Sequence, residues 1–341
     1  MALQKADYIQ LRKVIEEKGL LNYTGLYYLV HFLVTIVLFA LLFVLIIYFN
    51  RWYATLLLIL PLSFVATHFG YLGHDAGHRA ISKRAYINEM VGQLSYSFVL
   101  GGSFSYWKFK HNLHHTHPNI EGSDPDIDMT LFSLTEQHAR KRKGIKRLIT
   151  RFQAWLFPTV FLILLFLIRY DSLKYLLSKK GLFIDWLLLL GHVTLYFLIV
   201  PYFVGIWTAI FVYVLLSVLI SAYIGFTFTP NHVGMPILEN AGDMPFMEKQ
   251  IMTSRNIKSG LVLNYIFGGL DCQIEHHLFP QASRKNLLKI RGIVKEFCVE
   301  HSIPYKYESV ARAWKDIFIY LNTMGKYAKR FHTLKMAKDM L

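Results

Sequence analysis

Four long apolar runs divide the chain into membrane-spanning and polar parts. They cover residues about 28–49, 53–72, 183–201 and 204–226. Each run is near the ~20 residues that an α-helix needs to cross the hydrocarbon core of a bilayer. Only a few residues separate the first run from the second, and the third from the fourth. The pattern therefore predicts an all-α membrane protein whose four transmembrane helices form two hairpins.

Two weaker apolar segments are predicted to lie in the membrane interface instead of crossing it. Residues about 90–107 are interrupted by glycines and serines, and residues about 153–168 are short for a span. With four crossings, segments 73–182 and 227–341 lie on one side of the membrane and form a helical cap. The amphipathic residues 1–27 precede the first span, and no cleavable signal peptide is predicted because that apolar run is too long for one.

Composition and charge agree with a membrane protein. The chain has 341 residues, of which 54% are hydrophobic, and a formal net charge of +15. Such a charge would suggest nucleic acid as the partner of a soluble protein, but the long apolar runs exclude that class. Basic residues gather between Arg140 and Arg151, which predicts that the cap is cytoplasmic. This segment is interpreted either as a topogenic or lipid-binding stretch or as the docking surface of an acidic partner.

Three clusters rich in histidine lie in the predicted cap or at its border with the spans. They comprise His74 and His78, then His111, His114 and His115, then Gln273, His276 and His277. Residues three and four apart share one face of an α-helix, so the imidazoles of each cluster can converge on one point. Two His-x-x-His-His-type clusters are rare by chance, and the sequence therefore predicts a polyhistidine metal site.

The ligand types narrow the choice of metal. Imidazole suits iron, zinc, copper and nickel, and Cys272 and Cys298 do not make a thiolate site. The histidines exceed what one tetrahedral zinc uses, and the sequence has no Glu-x-x-His pair of the kind found in carboxylate-bridged di-iron bundles. We therefore predict a histidine-dominated di-metal centre, with aspartates and Glu275 orienting the imidazoles from outside.

The remaining histidines are interpreted separately. His117 is close enough to the second cluster to support it without being a ligand. Five others stand alone and are predicted to be surface, helix-end or packing residues: His31, His138, His192, His301 and His332.

The three clusters resemble the histidine boxes of the membrane fatty acid desaturases. The resemblance extends to Asp124-Pro125-Asp126 and to the run from Gln273 to Pro280, and nearly the whole chain fits the family layout as one domain, residues 1–341. It implies a cytoplasmic, non-haem di-iron centre that uses O2 to introduce a cis double bond into a long-chain acyl group. It also implies a further ligand after the fourth span, matched here by His232, whose alternative role is that of an interfacial helix-end histidine.

Gln273 in the first place of the third box is similar to the front-end desaturases, which act between an existing double bond and the carboxyl end. Its amide is a poorer ligand than imidazole, so it would bind through oxygen, hold a water, or hydrogen-bond a neighbour. The fused cytochrome b5 module of eukaryotic front-end enzymes has no counterpart in this sequence. The resemblance thus predicts a separate electron donor, such as a ferredoxin or cytochrome b5, and a bacterial plasma membrane as the location.

Two other functions compete with desaturation. The same scaffold serves acyl or alkane hydroxylases, which leave an alcohol instead of an alkene. A metal transporter would place its ionisable ligands near the middle of the bilayer, whereas these clusters lie at or beyond the predicted span ends. The chain length of the substrate, its CoA or lipid carrier and the position of the new double bond stay open.

Overall fold

A computed structural model describes residues 4–129, 131–240, 242 and 244–338, without the side chains of 329–338. Most of the described part is helical, and strands are almost absent from it. Its helices are α1 Lys5–Glu17, α2 Gly25–Phe49, α3 Trp52–Gly77, α4 Ala85–Gln93, α5 Phe104–Thr116, α6 Glu136–Lys141, α7 Gly144–Arg151, α8 Gln153–Val160, α9 Leu164–Ser178, α10 Phe183–Thr194, α11 Val200–Val204, α12 Ile206–His232, α13 Phe246–Met252, α14 Leu261–Ile266, α15 Gln273–Leu278, α16 Arg284–Glu300 and α17 Val310–Lys338. Two short strands, β1 Asn256–Ile257 and β2 Tyr307–Glu308, pair in parallel.

Within the described part of the chain, four helical segments are each long and apolar enough to cross a membrane. They are α2, α3, the continuous segment Phe183–Val204 and α12. The third segment consists of α10, a π-helical turn at Leu195–Ile199 and α11. These four helices confirm the prediction of an all-α membrane protein with two hairpins.

Two of the spanning helices continue further than the apolar runs predict. The second helix ends at Gly77 instead of about 72, and the fourth ends at His232 instead of about 226. Hydropathy marks where side chains leave the hydrocarbon, whereas backbone hydrogen bonding continues across the boundary. Consequently His74 and His232 are carried by the ends of spanning helices and not by separate cap segments.

The segment 90–107 is not one helix as expected. It comprises the end of α4, a π-helical turn at Leu94–Val99 and the first turn of α5. Gly101 adopts a φ of +72°, a conformation open to glycine. Ser103 then caps α5 by accepting a hydrogen bond from the backbone N–H of Tyr106 at 3.0 Å. The residues between the π-helical turn and Ser103 therefore separate α5 from α4.

The segment 153–168 also differs from expectation. Together with the residues that follow it, this segment forms two helices, α8 and α9, bent by 67° at the break between them. The basic residues Arg169 and Lys174 lie on α9. The Arg169 side chain is held by hydrogen bonds to the carbonyl oxygen of Leu100 (2.8 Å) and the hydroxyl oxygen of Ser217 (2.8 Å).

Helix α3 lies at the centre of the membrane part. In the most apolar stretch of 18 residues of α3, 67% of the residues are buried. The corresponding share for α2 is 17%, because α2 exposes leucine and valine side chains. α3 packs against α2, α4 and α12. The cap forms a second core, in which α1 and α16 enclose the third histidine cluster on α15. The metal-site segments therefore lie between these two cores.

Replacing Gly325 by alanine is expected to destabilise the protein. A Cβ at Gly325 would lie 2.7 Å from the carbonyl oxygen of Arg151 and 3.0 Å from that of Thr150, so α17 must move away from α7 at a cost of about 1–3 kcal/mol. The measurement is the thermal unfolding midpoint in detergent. Gly292→Ala is the matched control, because a Cβ there meets no atom within 4 Å. An equal effect of both substitutions would contradict the expectation.

Candidate metal centre

The three histidine clusters come together at the cap end of the spans. His74 lies in the last turn of α3 and His78 directly follows that helix. α5 carries the second cluster and α15 the third, while His232 is the last residue of α12. Because four separate helices supply the imidazoles, the site forms only when these four helices have come together.

Five imidazoles form the first group, called site A here. Its members are His74, His78, His111, His115 and His276, and one nitrogen of each lies within 4.8 Å of one nitrogen of every other. The Nε2 atoms are 2.9 Å apart for His78 and His111, and 3.1 Å apart for His111 and His115. The Nε2 atoms of His115 and His276 are also 3.1 Å apart.

Three imidazoles form the second group, called site B here: His114, His232 and His277. The Nε2 atoms of His114 and His232 are 3.3 Å apart. The two sites adjoin, because the ring of His277 stacks on that of His115 with centroids 4.2 Å apart. The arrangement thus offers two neighbouring positions for cations.

Gln273 borders site B. Its Nε2 lies 2.9 Å from Nε2 of His232, and its Oε1 accepts a hydrogen bond of 3.0 Å from the amide of Asn231. In this orientation the side chain hydrogen-bonds a neighbour, which is one of the three roles expected for it. A rotation of the amide by 180° would turn Oε1, the atom able to bind a cation, towards site B.

Four imidazoles are oriented from outside by acceptors of their Nδ1–H groups. Nδ1 of His74 donates to Asp75 (3.1 Å), and Nδ1 of His114 donates to Asp124 (3.0 Å). The other two donate to the Thr253 carbonyl oxygen (His232, 3.0 Å) and to Oε1 of Gln250 (His277, 2.8 Å). Donation through Nδ1 leaves the Nε2 lone pairs facing inward, as in metal sites whose ligands are held by outer partners.

The sequence predicted only two of these four hydrogen-bond acceptors. Asp75 and Asp124 are carboxylates near the boxes, as expected. No sequence motif predicts the roles of Gln250 and the Thr253 carbonyl oxygen. These residues lie on and directly after α13, and only tertiary contacts bring them to the site.

The electrostatics suit a cation. Burial lowers the pKa of five imidazoles outside the spans well below the ordinary value, and neighbouring imidazoles add to this effect: those of His78, His111, His115, His276 and His277. They are therefore neutral near pH 7 with free lone pairs. Nε2 of His74 and of His277 are buried without a hydrogen-bond partner among the residues that the structure describes. Buried, inward-facing lone pairs are satisfied by a metal ion, so the residues fit a metal centre.

His114 differs from the other ligand candidates in its charge environment. Burial acts to lower its pKa, but the hydrogen bond to Asp124 and the charge of Asp126 raise it above the ordinary value. Asp126 in turn pairs with Lys110, whose Nζ is 2.8 Å from its carboxylate. The acidic loop thus adds negative charge beside site B.

Glu275 does not orient an imidazole, contrary to expectation. Its carboxylate accepts hydrogen bonds from the hydroxyl of Tyr305 (2.7 Å) and the amide of Asn256 (2.7 Å), away from the metal centre. Burial raises its pKa to about 7, although both hydrogen bonds act in the opposite direction. Adjacent residues on a helix point about 100° apart, and Glu275 accordingly faces the cap when His276 faces site A.

The remaining histidines with described side chains lie outside both sites. His138 lies beside Glu121, His301 stacks on Phe297, and His192 is buried against the Phe98 carbonyl oxygen. His117 follows α5, and the side chain of His332 is outside the described set. His31 is buried next to His68, a histidine within the second apolar run to which the sequence pattern assigns no role.

Together the fold and the site define a multi-pass membrane protein that carries a polyhistidine metal centre at the ends of its spans. Comparison with known families identifies it further. The fatty acid desaturase family matches residues 50–309, more than half of the chain. The chain belongs to the fatty acid desaturase family, as its histidine boxes predicted, and is a membrane oxidoreductase that desaturates fatty acyl chains.

Similar proteins carry desaturase names. The Delta(5) fatty acid desaturase of Caenorhabditis elegans is 27% identical over 346 residues, covering 95% of this chain and 75% of the relative. The acyl-lipid (9-3)-desaturase of Physcomitrium patens is 29% identical over 345 residues (96% and 64%). The Delta(8)-fatty-acid desaturase of Euglena gracilis is 28% identical over 323 residues (88% and 74%). This chain thus spans between about two thirds and three quarters of their lengths, and their names agree with a front-end desaturase.

Proposed function

We propose that the chain is an O2-dependent front-end desaturase that introduces a cis double bond at a di-iron centre held in sites A and B. The observation that carries the proposal is the pairing of two adjoining imidazole groups whose lone pairs face inward. The proposed ligands are His74, His78, His111, His115 and His276 in site A, and His114, His232, His277 and the amide oxygen of Gln273 in site B. The domain would comprise residues 1–341.

Bound iron, with O2, would supply the oxidation of an unactivated methylene, which side-chain acids and bases cannot achieve. The contribution of the chain is positional. The outward hydrogen bonds from His74 and His114 to Asp75 and Asp124 fix the ring orientations before any metal binds. Apolar and aromatic side chains of α3 and α12 would hold the acyl chain beside the site and exclude water.

Replacing Asp124 by alanine is expected to weaken metal binding about 10–100-fold, because His114 loses the acceptor that orients it. The measurement is iron affinity by competition with a chelator, together with desaturation rate at saturating iron. Asp128→Asn is the matched control, since Asp128 lies exposed in the same loop. Unchanged affinity in Asp124→Ala would show that the carboxylate does not orient a ligand.

The electron donor is proposed to be a separate acidic protein, such as a ferredoxin or cytochrome b5. Several basic side chains of the segment from Arg140 to Arg151 are exposed, among them Lys141, Lys143 and Lys146. They support a docking role by charge complementarity. Charge reversal at these lysines should raise the KM for the donor and leave the KM for acyl substrate unchanged.

The same positive charge supports a cytoplasmic position of the cap. We propose that the protein lies in a bacterial plasma membrane, with the cap on the cytoplasmic side.

Expression in a host of defined lipid composition tests the function. Desaturation predicts new double bonds between existing ones and the carboxyl end, located by mass spectrometry of derivatised lipids. Hydroxy fatty acids instead of alkenes would identify the hydroxylase alternative. Unchanged lipids, with iron, donor and O2 supplied to the purified enzyme, would overturn the proposal.

A further inference from the structure

A second group of buried polar side chains lies beside the metal centre, among α2, α3, α14 and the start of α16. We call it the His68 cluster: His31, His68, Tyr71, Tyr265 and Arg284. The ring of His68 stacks on Tyr265 with centroids 4.4 Å apart, and lies edge-on to His31 (5.5 Å) and Tyr71 (5.4 Å). None of these side chains belongs to site A or site B as defined by the described residues.

Three members of the cluster carry unsatisfied polar atoms. Both ring nitrogens of His68, Nε2 of His31 and Nη1 of Arg284 are buried without a hydrogen-bond partner within the described part of the chain. The residues are only 1%, 8% and 4% exposed, respectively. Folded proteins pair nearly all buried polar groups, so an unpaired set in one place indicates a missing ligand or water.

The guanidinium of Arg284 is held in place by its other nitrogens. Nε donates to Asp75 at 2.8 Å, and Nη2 lies 2.7 Å from the same carboxylate oxygen. The group also lies over the ring of Tyr71, 5.7 Å from its centroid. Nη1 of Arg284 is left as a buried donor without a hydrogen-bond partner among the described residues. The cluster therefore offers fixed N–H donors to an acceptor atom.

The cluster adjoins the lipid. Tyr265 is 45% exposed and covers His68, while the neighbouring Leu261 and Val262 on α14 are 80% and 76% exposed. An apolar helix of this kind lies against acyl chains in a membrane. A half-exposed tyrosine ring is thus what separates His68 from the bilayer on this side.

A row of rings connects the cluster to the metal centre. Tyr71 stacks on Phe228 with centroids 6.1 Å apart, and Phe228 lies edge-on to His74 at 6.3 Å. His68 and His74 are six residues apart on one helix, which is about 9 Å along its axis. This length equals about seven carbon–carbon bonds of an extended chain, because each bond of ~1.52 Å in the zigzag advances the chain by only about 1.3 Å.

We propose that the His68 cluster binds the carbonyl oxygen at the carboxyl end of the acyl substrate, which enters from the bilayer past Tyr265. The inference rests on the proposed front-end activity. A carbonyl oxygen accepts hydrogen bonds from both guanidinium and imidazole N–H groups, and the attached chain suits the aromatic surroundings. Holding this end at a fixed distance from sites A and B selects the carbon atoms that react, counted from the carboxyl group.

The test compares a ligand that has the carbonyl with one that lacks it. Binding of oleic acid methyl ester and of oleyl methyl ether to the iron-loaded full chain is measured by native mass spectrometry. The wild type is expected to prefer the ester about tenfold, the effect of one buried hydrogen bond. His68→Phe should reduce this preference towards unity, and His68→Gln should retain part of it, because an amide still donates. Phe64→Leu is the control, since Phe64 packs on His68 without a polar group and should change both affinities alike.

A second readout is the product. His68→Phe should keep its full iron content, because His68 lies outside both sites, yet yield double bonds at additional positions. Equal binding of ester and ether by the wild type, or an undiminished preference in His68→Phe, would overturn the proposal and assign the nitrogens to buried water. Binding with carbonyl preference but without any desaturation would overturn the proposed function and leave the carbonyl site supported. Binding of neither ligand would overturn both.

Discussion

The alanine variant of His276 is expected to lose desaturase activity and iron together. The imidazole of His276 contacts those of His74, His78 and His115 in site A, with Nε2 3.1 Å from that of His115. Its removal opens the centre of the group and deletes a proposed ligand. The loss should exceed the 10–100-fold typical of removing an outer partner, and iron per chain, measured by plasma mass spectrometry, should fall.

His138→Ala provides the comparison for this variant. His138 is a partly exposed histidine that lies beside Glu121, so its replacement should leave both iron content and product yield at wild-type levels. Unfolding in the presence of a chelator separates ligand loss from misfolding, because metal-free wild type and His276→Ala should then unfold at similar temperatures. A His276→Ala protein with full iron and normal turnover would remove His276 from the ligand set.

Replacing Arg284 by methionine is expected to give the largest loss of stability. Arg284 forms a buried ion pair with Asp75, which also accepts from Tyr28 at 2.8 Å. Without the guanidinium, the carboxylate of Asp75 stays buried with no cation beside it. This lowers the free energy of unfolding by about 3–5 kcal/mol. The measurement is the thermal unfolding midpoint of the metal-free protein in detergent, which excludes effects of iron binding.

The double variant Asp75→Asn, Arg284→Met should recover much of this loss, because the neutral amide leaves no uncompensated charge and still offers an acceptor to Nδ1 of His74. Arg12→Met is the matched single control. Arg12 pairs with Glu16 on the exposed face of α1, with side chains 51% and 48% exposed, and such pairs contribute about 0.3–0.5 kcal/mol. Equal destabilisation by Arg284→Met and Arg12→Met would show that the buried pair is not essential.

The regular features of the fold and the site could be predicted from local sequence patterns. Long apolar runs located the four spans, and spacings of three and four located the histidine faces, because both depend on helical periodicity alone. Helix ends were predicted less well. The second and fourth spans continue to Gly77 and His232 since the backbone crosses the lipid boundary without interruption.

Features that depend on tertiary contacts were not visible in the sequence. Gln250 reaches His277 from another segment, and Arg284 reaches Asp75 over more than two hundred residues of chain. Glu275 was assigned to the wrong partner because its proximity along the chain outweighed its direction on the helix. No sequence pattern distinguishes His68, because one histidine in an apolar run has no partner at helical spacing. Its unpaired nitrogens are visible only in the folded structure, where the surrounding rings are in place.

Because the proposed iron ligands come from four helices that are distant in the sequence, iron supply would be linked to the amount of enzyme. An ion that binds only the assembled protein stabilises it by about 2.7 kcal/mol when its free concentration is 100 times its dissociation constant. Cells starved of iron would then hold fewer intact molecules, since loosened chains are degraded. A shortage of iron would therefore reduce the synthesis of unsaturated lipid in two ways. It would lower the number of enzyme molecules, and it would lower the activity of those that remain.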